Sequence, residues 1–262
     1  FSISRSKERF SWGVPILGDD DQVMYVWFDA FINYISTLGW PFASAQDLRP
    51  NAKENLFNKF WMEGKKVQTA GKDMVKFQSV MWQGMLMSAG LPTTDTIVYH
   101  GFITGEGGIK MSKSIGNVIN PNDIVKEYGT DALRYFLLRE ISSFEDSPFT
   151  MERFKDAYNS GLANGLGNLA SRILTLSEKY LDKCPEIPEK LVPKEFYDLM
   201  ESFDIKKAAD FVWNKIQVLD KKIQVTEPFK VVKVDEKKGK KLITEMVLEL
   251  YAIARMLNSL MP

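Results

Sequence analysis

Between residues 66 and 104 the sequence alternates between two kinds of apolar pattern. The runs "KVQTAG" and "TIVYHGFIT" are short and rich in β-branched and aromatic residues, which is typical of strands. The stretch between them, "MVKFQSVMWQGMLMSAG", carries its apolar residues at helical spacing. A strand, a helix and a strand in succession predict a βαβ unit with a parallel sheet. Ligand sites in such sheets lie at the carboxyl ends of the strands, here where "GKD" (Gly71–Asp73) follows the first strand.

Further elements are predicted on either side of this unit. The run "QVMYVWF" (Gln22–Phe28) follows an acidic turn and is predicted to be a strand. The strand predicted at the end of the βαβ unit covers Thr96–Thr104. Two helices are predicted over Asn122–Tyr128 and Asp131–Ile141, and Thr130 is the expected N-cap of the second.

The pattern changes from residue 150 onwards, where no strand signal follows. Amphipathic helices are predicted over Met151–Tyr180, Lys194–Val225 and Lys240–Leu260, with a proline-broken linker at Cys184–Pro193. The predicted fold class is therefore α/β followed by all-α.

Composition narrows the possible functions. The 34 basic residues equal the 34 acidic residues, so any contact with nucleic acid must depend on local patches rather than on net charge. One cysteine and one histidine exclude a disulfide framework and argue against a zinc site made only of protein ligands. No apolar run approaches the length of a membrane span, and no signal peptide is visible. We expect a cytoplasmic protein without a membrane partner. Because the first residue is not Met, we also expect a portion of a longer chain.

A glycine-rich stretch, "GEGGIKMSKSIGNVINP" (Gly105–Pro121), places Lys110 and Lys113 on a loop. Glycines allow the backbone to move and to approach a ligand closely, and lysine suits phosphate oxygens that move or leave. The spacing is not that of a P-loop. Composition alone leaves open a solvated surface loop with ordinary lysines.

The string "KMSKS" at Lys110–Ser114 is the second signature of class I aminoacyl-tRNA synthetases. Together with four other collinear blocks, it resembles the methionyl-tRNA synthetase family over nearly the whole chain. The other blocks are "YVWFDAFINYIS", "GKDMVKFQSVMWQGMLMSAGLP", "YGTDALRYFLLRE" and "NGLGNLASR".

The resemblance implies ATP-dependent activation of methionine to methionyl-adenylate, release of pyrophosphate and transfer to tRNA(Met). Lys110 and Lys113 would be catalytic, since they would offset charge that develops on the phosphates. Mg²⁺ would be carried mainly on the ATP phosphates, and no zinc would be bound by this portion. Asp73 would meet the ribose, although an Asp that caps the following helix is an equally good interpretation. The ATP-binding residues implied are Gly71, Asp73, His100, Met111, Ser112, Lys113 and Ser114.

The resemblance also implies two recognition sites. A thioether packs well against aromatic rings, and the implied methionine-binding residues are Trp27, Phe31, Tyr34 and Gln78. Gln78 stands where many relatives carry histidine. The implied anticodon-binding residues are Asn168, Arg172 and Phe229, which would contact the CAU anticodon. Phe229 stands where relatives usually have tryptophan. Read without the resemblance, the aromatic residues are core residues and the polar ones form a solvated helix face.

Two family features do not occur in this sequence, namely the H-I-G-H-like first signature and the cysteine-rich zinc knuckle. We therefore expect the C-terminal portion of a synthetase, inactive by itself. The expected parts are the second half of a Rossmann-like catalytic domain (1–104), a loop and stem-contact region (105–150), and an anticodon-binding helix bundle (151–262). Two alternatives remain, namely a sister class I synthetase for leucine, isoleucine or valine, and a non-catalytic tRNA-binding module.

Overall fold

The computed structural model describes residues 3–40, 56–112, 114 and 116–262. Its contacts divide the chain into two compact units, Phe1–His100 and Gly101–Pro262. The first unit mixes strands with helices, and the second is mainly helical. The predicted change from a mixed to a helical texture is thus present. No helix among the described residues is both long enough and apolar enough to span a membrane.

The first unit begins with a small antiparallel sheet in the strand order β1-β3-β2. Its strands are Ser4–Ser6 (β1), Pro15–Ile16 (β2) and Asp19–Met24 (β3). The prediction of a strand over Gln22–Phe28 was wrong in its second half, because helix α1 (Val26–Ala30) starts two residues after β3 ends. A short apolar run cannot be assigned to strand or helix by periodicity alone. Helix α2 (Asn33–Ser36) follows.

The predicted βαβ unit is confirmed. Strands β4 (Val67–Gly71) and β5 (Thr96–His100) are parallel and pair residue by residue from Val67↔Thr96 to Gly71↔His100. The connection contains a 3-10 turn (Lys72–Met74), a π-helical segment (Phe77–Trp82) and helix α3 (Gln83–Ser88). Another π-helical segment, Asn58–Met62, precedes β4.

The strand predicted over Thr96–Thr104 is two strands in different sheets. β5 ends at His100, and β6 (Ile103–Thr104) pairs in parallel with β7 (Ser147–Pro148) in the second unit. Between them, Gly101 lies so close to the backbone of Glu145 that a Cβ atom would overlap it. Only glycine fits where these two backbones meet.

The second unit contains eight α-helices among the residues that the structure describes. They are α4 (Pro121–Tyr128), α5 (Thr130–Tyr135), α6 (Met151–Ala157), α7 (Asn168–Tyr180), α8 (Lys194–Glu201), α9 (Ile205–Thr226), α10 (Pro228–Val234) and α11 (Glu236–Leu257). Two π-helical segments, Phe136–Glu140 and Tyr158–Gly167, extend α5 and join α6 to α7.

Several helix boundaries differ from the predictions; α11, for example, covers Glu236–Leu257 rather than Lys240–Leu260. Thr130 is the first residue of α5 rather than its N-cap, because Gly129 occupies that position with a φ of 87°. The helix predicted over Lys194–Val225 is broken between α8 and α9. Asp204 stands at this break and accepts a hydrogen bond from the backbone N–H of Lys207, which starts a new helix.

One apolar core serves most of the second unit. Phe136 and Ile124 pack in the same cluster as Phe154, Leu169 and Trp213. Helices α4 and α5 therefore share their core with the helices that follow residue 150. The proposed division of the chain at 104 and 150 stays a prediction.

Candidate functional site

The first unit contains an aromatic cluster built by α1, α2 and the π-helical segment Phe77–Trp82. We define it as Trp27, Phe31, Tyr34, Phe77 and Trp82. Ring centroids lie 5.8 Å apart for Trp27 and Phe31, and 6.2 Å apart for Phe31 and Tyr34. Trp82 lies 5.9 Å from Phe31 and 5.8 Å from Tyr34. Contacts at these distances contribute beyond simple burial.

Burial divides this cluster into a buried base, formed by Phe31 and Trp82, and an exposed wall, formed by Trp27 and Tyr34. Phe31 is 3% exposed and Trp82 is 1% exposed, so both belong to the core of the unit. Trp27 and Tyr34 are 37% and 39% exposed. The exposed rings rest on buried ones, which holds them in place without covering them. This arrangement can receive an apolar group with little rearrangement.

Gln78 supplies the polar contact of the aromatic cluster. Its side chain is 2% exposed, and its Nε2 donates a hydrogen bond to the Tyr34 hydroxyl at 3.2 Å. The backbone carbonyl of Gln78 accepts from Nε2 of Gln83 at 2.9 Å. Since the Tyr34 oxygen accepts from Gln78, its own hydrogen is available to a ligand. The structure thus brings the four predicted methionine-binding residues together.

The predicted ATP residues of the first unit gather at the carboxyl ends of the parallel strands. Gly71 and His100 are register partners at the last positions of β4 and β5. Asp73 follows within the turn Lys72–Met74 and is exposed. The alternative that Asp73 caps a helix was wrong, because Gly71 is the N-cap of this turn. The Asp73 carboxylate therefore faces solvent beside the strand ends.

The start of the glycine stretch, between Thr104 and Lys110, forms a tight turn. Thr104 and Lys110 form an antiparallel bridge, and the Gly105 N–H donates to the Ile109 carbonyl at 2.7 Å. Gly107 and Gly108 have φ angles of 67° and 77°, which favour glycine. These glycines therefore permit a tight reversal of the chain before Lys110.

The side chain of Asn117 makes two hydrogen bonds to the backbone of the signature. Its Oδ1 accepts from the Ser112 N–H at 2.8 Å, and its Nδ2 donates to the Lys110 carbonyl at 3.3 Å. The hydroxyl oxygens of Ser112 and Ser114 lie 3.0 Å apart. Met111 packs against the apolar core, which anchors the segment.

The structure describes one of the two lysines of the signature. Lys110 is exposed, and its Nζ lies 5.5 Å from the Phe102 ring centroid. Lys113 lies outside the described residues. Among the described residues, no group of three His, Cys, Asp or Glu side chains could hold a metal ion.

The predicted anticodon residues lie on two helices of the second unit. Asn168 is exposed at the start of α7, and Arg172 lies one turn later. Arg172 is only half-exposed, because its Nη1 donates to Asp220 Oδ1 of α9 at 2.6 Å. Phe229 is 38% exposed on α10. We call Asn168, Arg172 and Asp220 the polar face.

The entry of Phe229 into α10 has a local cause. Glu227 adopts a left-handed conformation with a φ of 41°, and Pro228 then occupies the first turn of α10. Proline cannot continue the preceding helix but suits the start of a new one. The chain therefore turns sharply before Phe229.

Three residues of these sites were missed by the sequence analysis. Phe77 lies 6.2 Å from the Trp27 ring, Asn117 holds the glycine turn, and Asp220 pairs with Arg172. The position of Phe77 in an apolar helical run was a usable signal for the first. The contacts of Asn117 and Asp220 depend on tertiary structure, and no local pattern marks them.

Comparison with known proteins identifies the family of this chain. The family model described as tRNA synthetases class I (M) matches residues 1–174. The chain belongs to this family. Methionine–tRNA ligase of Fusobacterium nucleatum is 37% identical over 99% of the chain and 42% of that protein. Methionine–tRNA ligase of Clostridium acetobutylicum is 36% identical over 98% of the chain and 40% of that protein.

A solved structure leads to the same family. Mycobacterium tuberculosis methionyl-tRNA synthetase in complex with methionyl-adenylate is similar with a TM-score of 0.80 and 30% identity. That similarity covers 100% of this chain and 52% of the other. The chain thus spans about two fifths of the curated relatives and about half of the solved synthetase.

Proposed function

We propose that this chain is part of a methionine–tRNA ligase. In that enzyme the methionine carboxylate attacks the α-phosphate of ATP and displaces pyrophosphate, which gives methionyl-adenylate. The methionyl group then passes to the 3′ end of tRNA(Met), and AMP leaves. The observation that carries the proposal is the aromatic cluster, in which two exposed rings stand on two buried rings beside a fixed amide. The family membership and the names of the relatives support the same activity.

The aromatic cluster suits the side chain of methionine. A thioether gains from contact with ring faces and edges and offers only a weak acceptor. Trp27 and Tyr34 supply exposed rings, and the Tyr34 hydroxyl can donate because Gln78 already donates to its oxygen. An amide at position 78 keeps this direction at all ordinary pH values, since amides do not titrate there.

Phosphate chemistry is assigned to the signature segment. Lys110 and Lys113 offset the negative charge that grows on the leaving pyrophosphate, which is stabilisation of the transition state rather than covalent catalysis. Asn117 hydrogen-bonds to the backbone of Lys110 and of Ser112. Mg²⁺ enters with ATP as part of the substrate. Asp73 accepts from the ribose hydroxyls, near Gly71 and His100 at the strand ends.

The finer architecture follows from this function. The mixed unit is the second half of a Rossmann-like nucleotide-binding domain, and the helices after residue 150 form an anticodon-binding bundle. Asn168, Arg172 and Phe229 contact the unstacked bases of the CAU anticodon. Phe229 keeps a ring that can stack on a base, although it lacks the indole donor.

The decisive experiment is an exchange assay on the full-length synthetase that contains this chain. Incorporation of labelled pyrophosphate into ATP is measured with methionine, leucine, isoleucine and valine in parallel. We expect exchange with methionine alone. Exchange with another amino acid would assign the chain to a sister synthetase. A folded protein that binds tRNA but exchanges with none of the four would identify a non-catalytic tRNA-binding module.

A further inference from the structure

The Asp220 carboxylate of the polar face accepts hydrogen bonds on both of its oxygens. Asp220 Oδ1 accepts from Arg172 Nη1 at 2.6 Å, and Oδ2 accepts from Gln224 Nε2 at 2.7 Å. Gln224 lies one turn further along the same helix, so the carboxylate is fixed from its own element. The guanidinium of Arg172 therefore meets a carboxylate whose other oxygen already accepts a hydrogen bond.

This contact orients Arg172 while leaving part of it accessible. The side chains of Arg172 and Asp220 are 34% and 36% exposed. Within the described residues this is the one hydrogen bond of the Arg172 guanidinium, so Nε and Nη2 can still donate to a ligand. A flexible arginine loses rotamer freedom when it binds. That cost falls when a partner in the free protein already holds the side chain.

The charge of Asp220 helps to decide whether Arg172 attracts the RNA backbone or hydrogen-bonds to base edges. A carboxylate beside a polyanion repels phosphate and offsets the positive charge of its neighbour. An arginine that served only to attract the RNA backbone would act more strongly without it. An oriented and charge-balanced guanidinium is better suited to hydrogen bonding with base edges, where sequence is read.

We propose that Asp220 is a positioning residue, which holds the Arg172 guanidinium in the orientation that reads an anticodon base. Gln224 assists by fixing the carboxylate. The ligand class is a single-stranded anticodon with its base edges exposed. The inference rests on the proposed function of Arg172 and adds to it a partner that prepares the arginine before RNA binds.

The test is a double-mutant cycle in the full-length synthetase. Asp220→Ala and Asp220→Asn are each made with Arg172 present and in the Arg172→Ala background. Aminoacylation is measured for a CAU tRNA and for an anticodon-mutated tRNA. We expect Asp220→Ala to lower kcat/KM for the CAU tRNA about tenfold, mainly through KM, with a much smaller loss for the mutated tRNA. Asp220→Asn should lose less, because its side-chain oxygen still accepts. In the Arg172→Ala background, Asp220→Ala should cause no further loss.

Salt dependence gives a second readout that a merely structural role would not change. Removing the carboxylate frees Arg172 to contact phosphate, so the salt slope for the mutated tRNA should steepen by about 1. Glu249→Ala serves as the matched control, since it breaks another ion pair of α9, with Lys222 at 2.7 Å. This control should leave both the anticodon preference and the salt slope unchanged.

Two results would overturn the inference. One is an unchanged anticodon preference in folded Asp220→Ala, and the other is a loss that persists fully in the Arg172→Ala background. If Asp220→Ala lowers the melting temperature, Asp220→Asn and Gln224→Ala decide the question in the same way. Failure of the underlying function looks different, because Arg172→Ala alone would then leave the anticodon preference intact.

Discussion

The aromatic cluster of the first unit and the polar face of the second unit are built on opposite principles. In the aromatic cluster, exposed Trp27 and Tyr34 lie against Phe31 and Trp82, which are core residues of the same unit. In the polar face, Arg172 is oriented by Asp220, and both side chains are partly solvated. One region is positioned by packing and the other by an ion pair.

This difference predicts how each region tolerates change. Core packing is dense, so loss of a buried ring is expected to affect the folding of the whole unit. A partly exposed ion pair contributes little to stability, so its loss is expected to affect recognition more than folding. Mutations at the base of the aromatic cluster should therefore act through stability, and mutations at the polar face should act through specificity.

The largest effect is expected for Trp82→Ala. Trp82 is 1% exposed and contacts Phe31, Tyr34 and Trp61. Its truncation should lower the free energy of unfolding by about 3–5 kcal/mol. Urea unfolding of the chain, followed by near-ultraviolet circular dichroism, measures this loss. Trp12→Ala is the matched control, because that indole is 91% exposed and its removal should change stability by less than about 0.5 kcal/mol. Equal stability losses in the two variants would contradict the assignment of Trp82 to the core of the first unit.

Lys113→Ala should produce the largest effect on chemistry with no effect on folding. The charge of Lys113 is needed as pyrophosphate develops, and loss of such a group raises the barrier by about 3 kcal/mol. In the full-length synthetase, the maximal rate of methionine-dependent pyrophosphate exchange should fall far more than methionine binding weakens. An unchanged maximal rate would remove Lys113 from the catalytic machinery.

Arg172→Ala should impair recognition of the tRNA without impairing formation of the adenylate. Loss of a base-edge contact costs about 1–3 kcal/mol, and the loss should depend on the anticodon. Aminoacylation of a CAU tRNA should therefore fall more than that of an anticodon-mutated tRNA, while pyrophosphate exchange stays near normal. Impairment of both tRNAs to the same extent would indicate a phosphate contact. Impairment of exchange as well would show that Arg172 does not act separately from adenylation.

The contrast also explains what the sequence could predict. Trp27, Phe31 and Tyr34 lie close together in the chain, so helical spacing brings their rings together wherever the helix packs. Likewise, the βαβ pattern predicted the parallel pairing of the two strands, although not the register that sets Gly71 opposite His100. Asp220 is 48 residues from Arg172, and its contact exists only after α7 and α9 pack in the second unit. The break before Asp204 was missed for a related reason, since apolar periodicity continues across it.

Asn117→Ala should weaken adenylation moderately. Its side chain makes hydrogen bonds of 2.8 Å and 3.3 Å to the backbone on either side of Met111. Each such bond contributes about 1 kcal/mol, so loss of both should lower the exchange rate roughly tenfold or more if the turn must be held for catalysis. Asn117→Asp is the matched variant, because it keeps the acceptor for Ser112 and loses the donor to Lys110. For Asn117→Asp we expect a rate between those of the wild type and Asn117→Ala. Full activity of Asn117→Ala would mean that the turn keeps its shape without the two hydrogen bonds of Asn117.

The smallest effect, and the one that bears most directly on the aromatic cluster, is expected for Trp27→Ala. Trp27 is 37% exposed and lies on Phe31 and Phe77, so it can be removed without opening the core beneath it. The contact of an aromatic wall with a thioether is worth about 0.3–1.5 kcal/mol beyond burial, which predicts a several-fold rise in the dissociation constant for methionine. ATP binding should be almost unaffected, because the predicted ribose contact belongs to the strand ends and not to the rings. Equilibrium dialysis with each ligand measures both, and Trp27→Phe should restore most of the methionine affinity, since a ring face remains.

A melting curve separates loss of a binding contact from loss of folding. If Trp27→Ala unfolds the chain as Trp82→Ala does, Trp27 belongs to the base of the cluster, and the exposed wall on which methionine recognition was inferred does not exist.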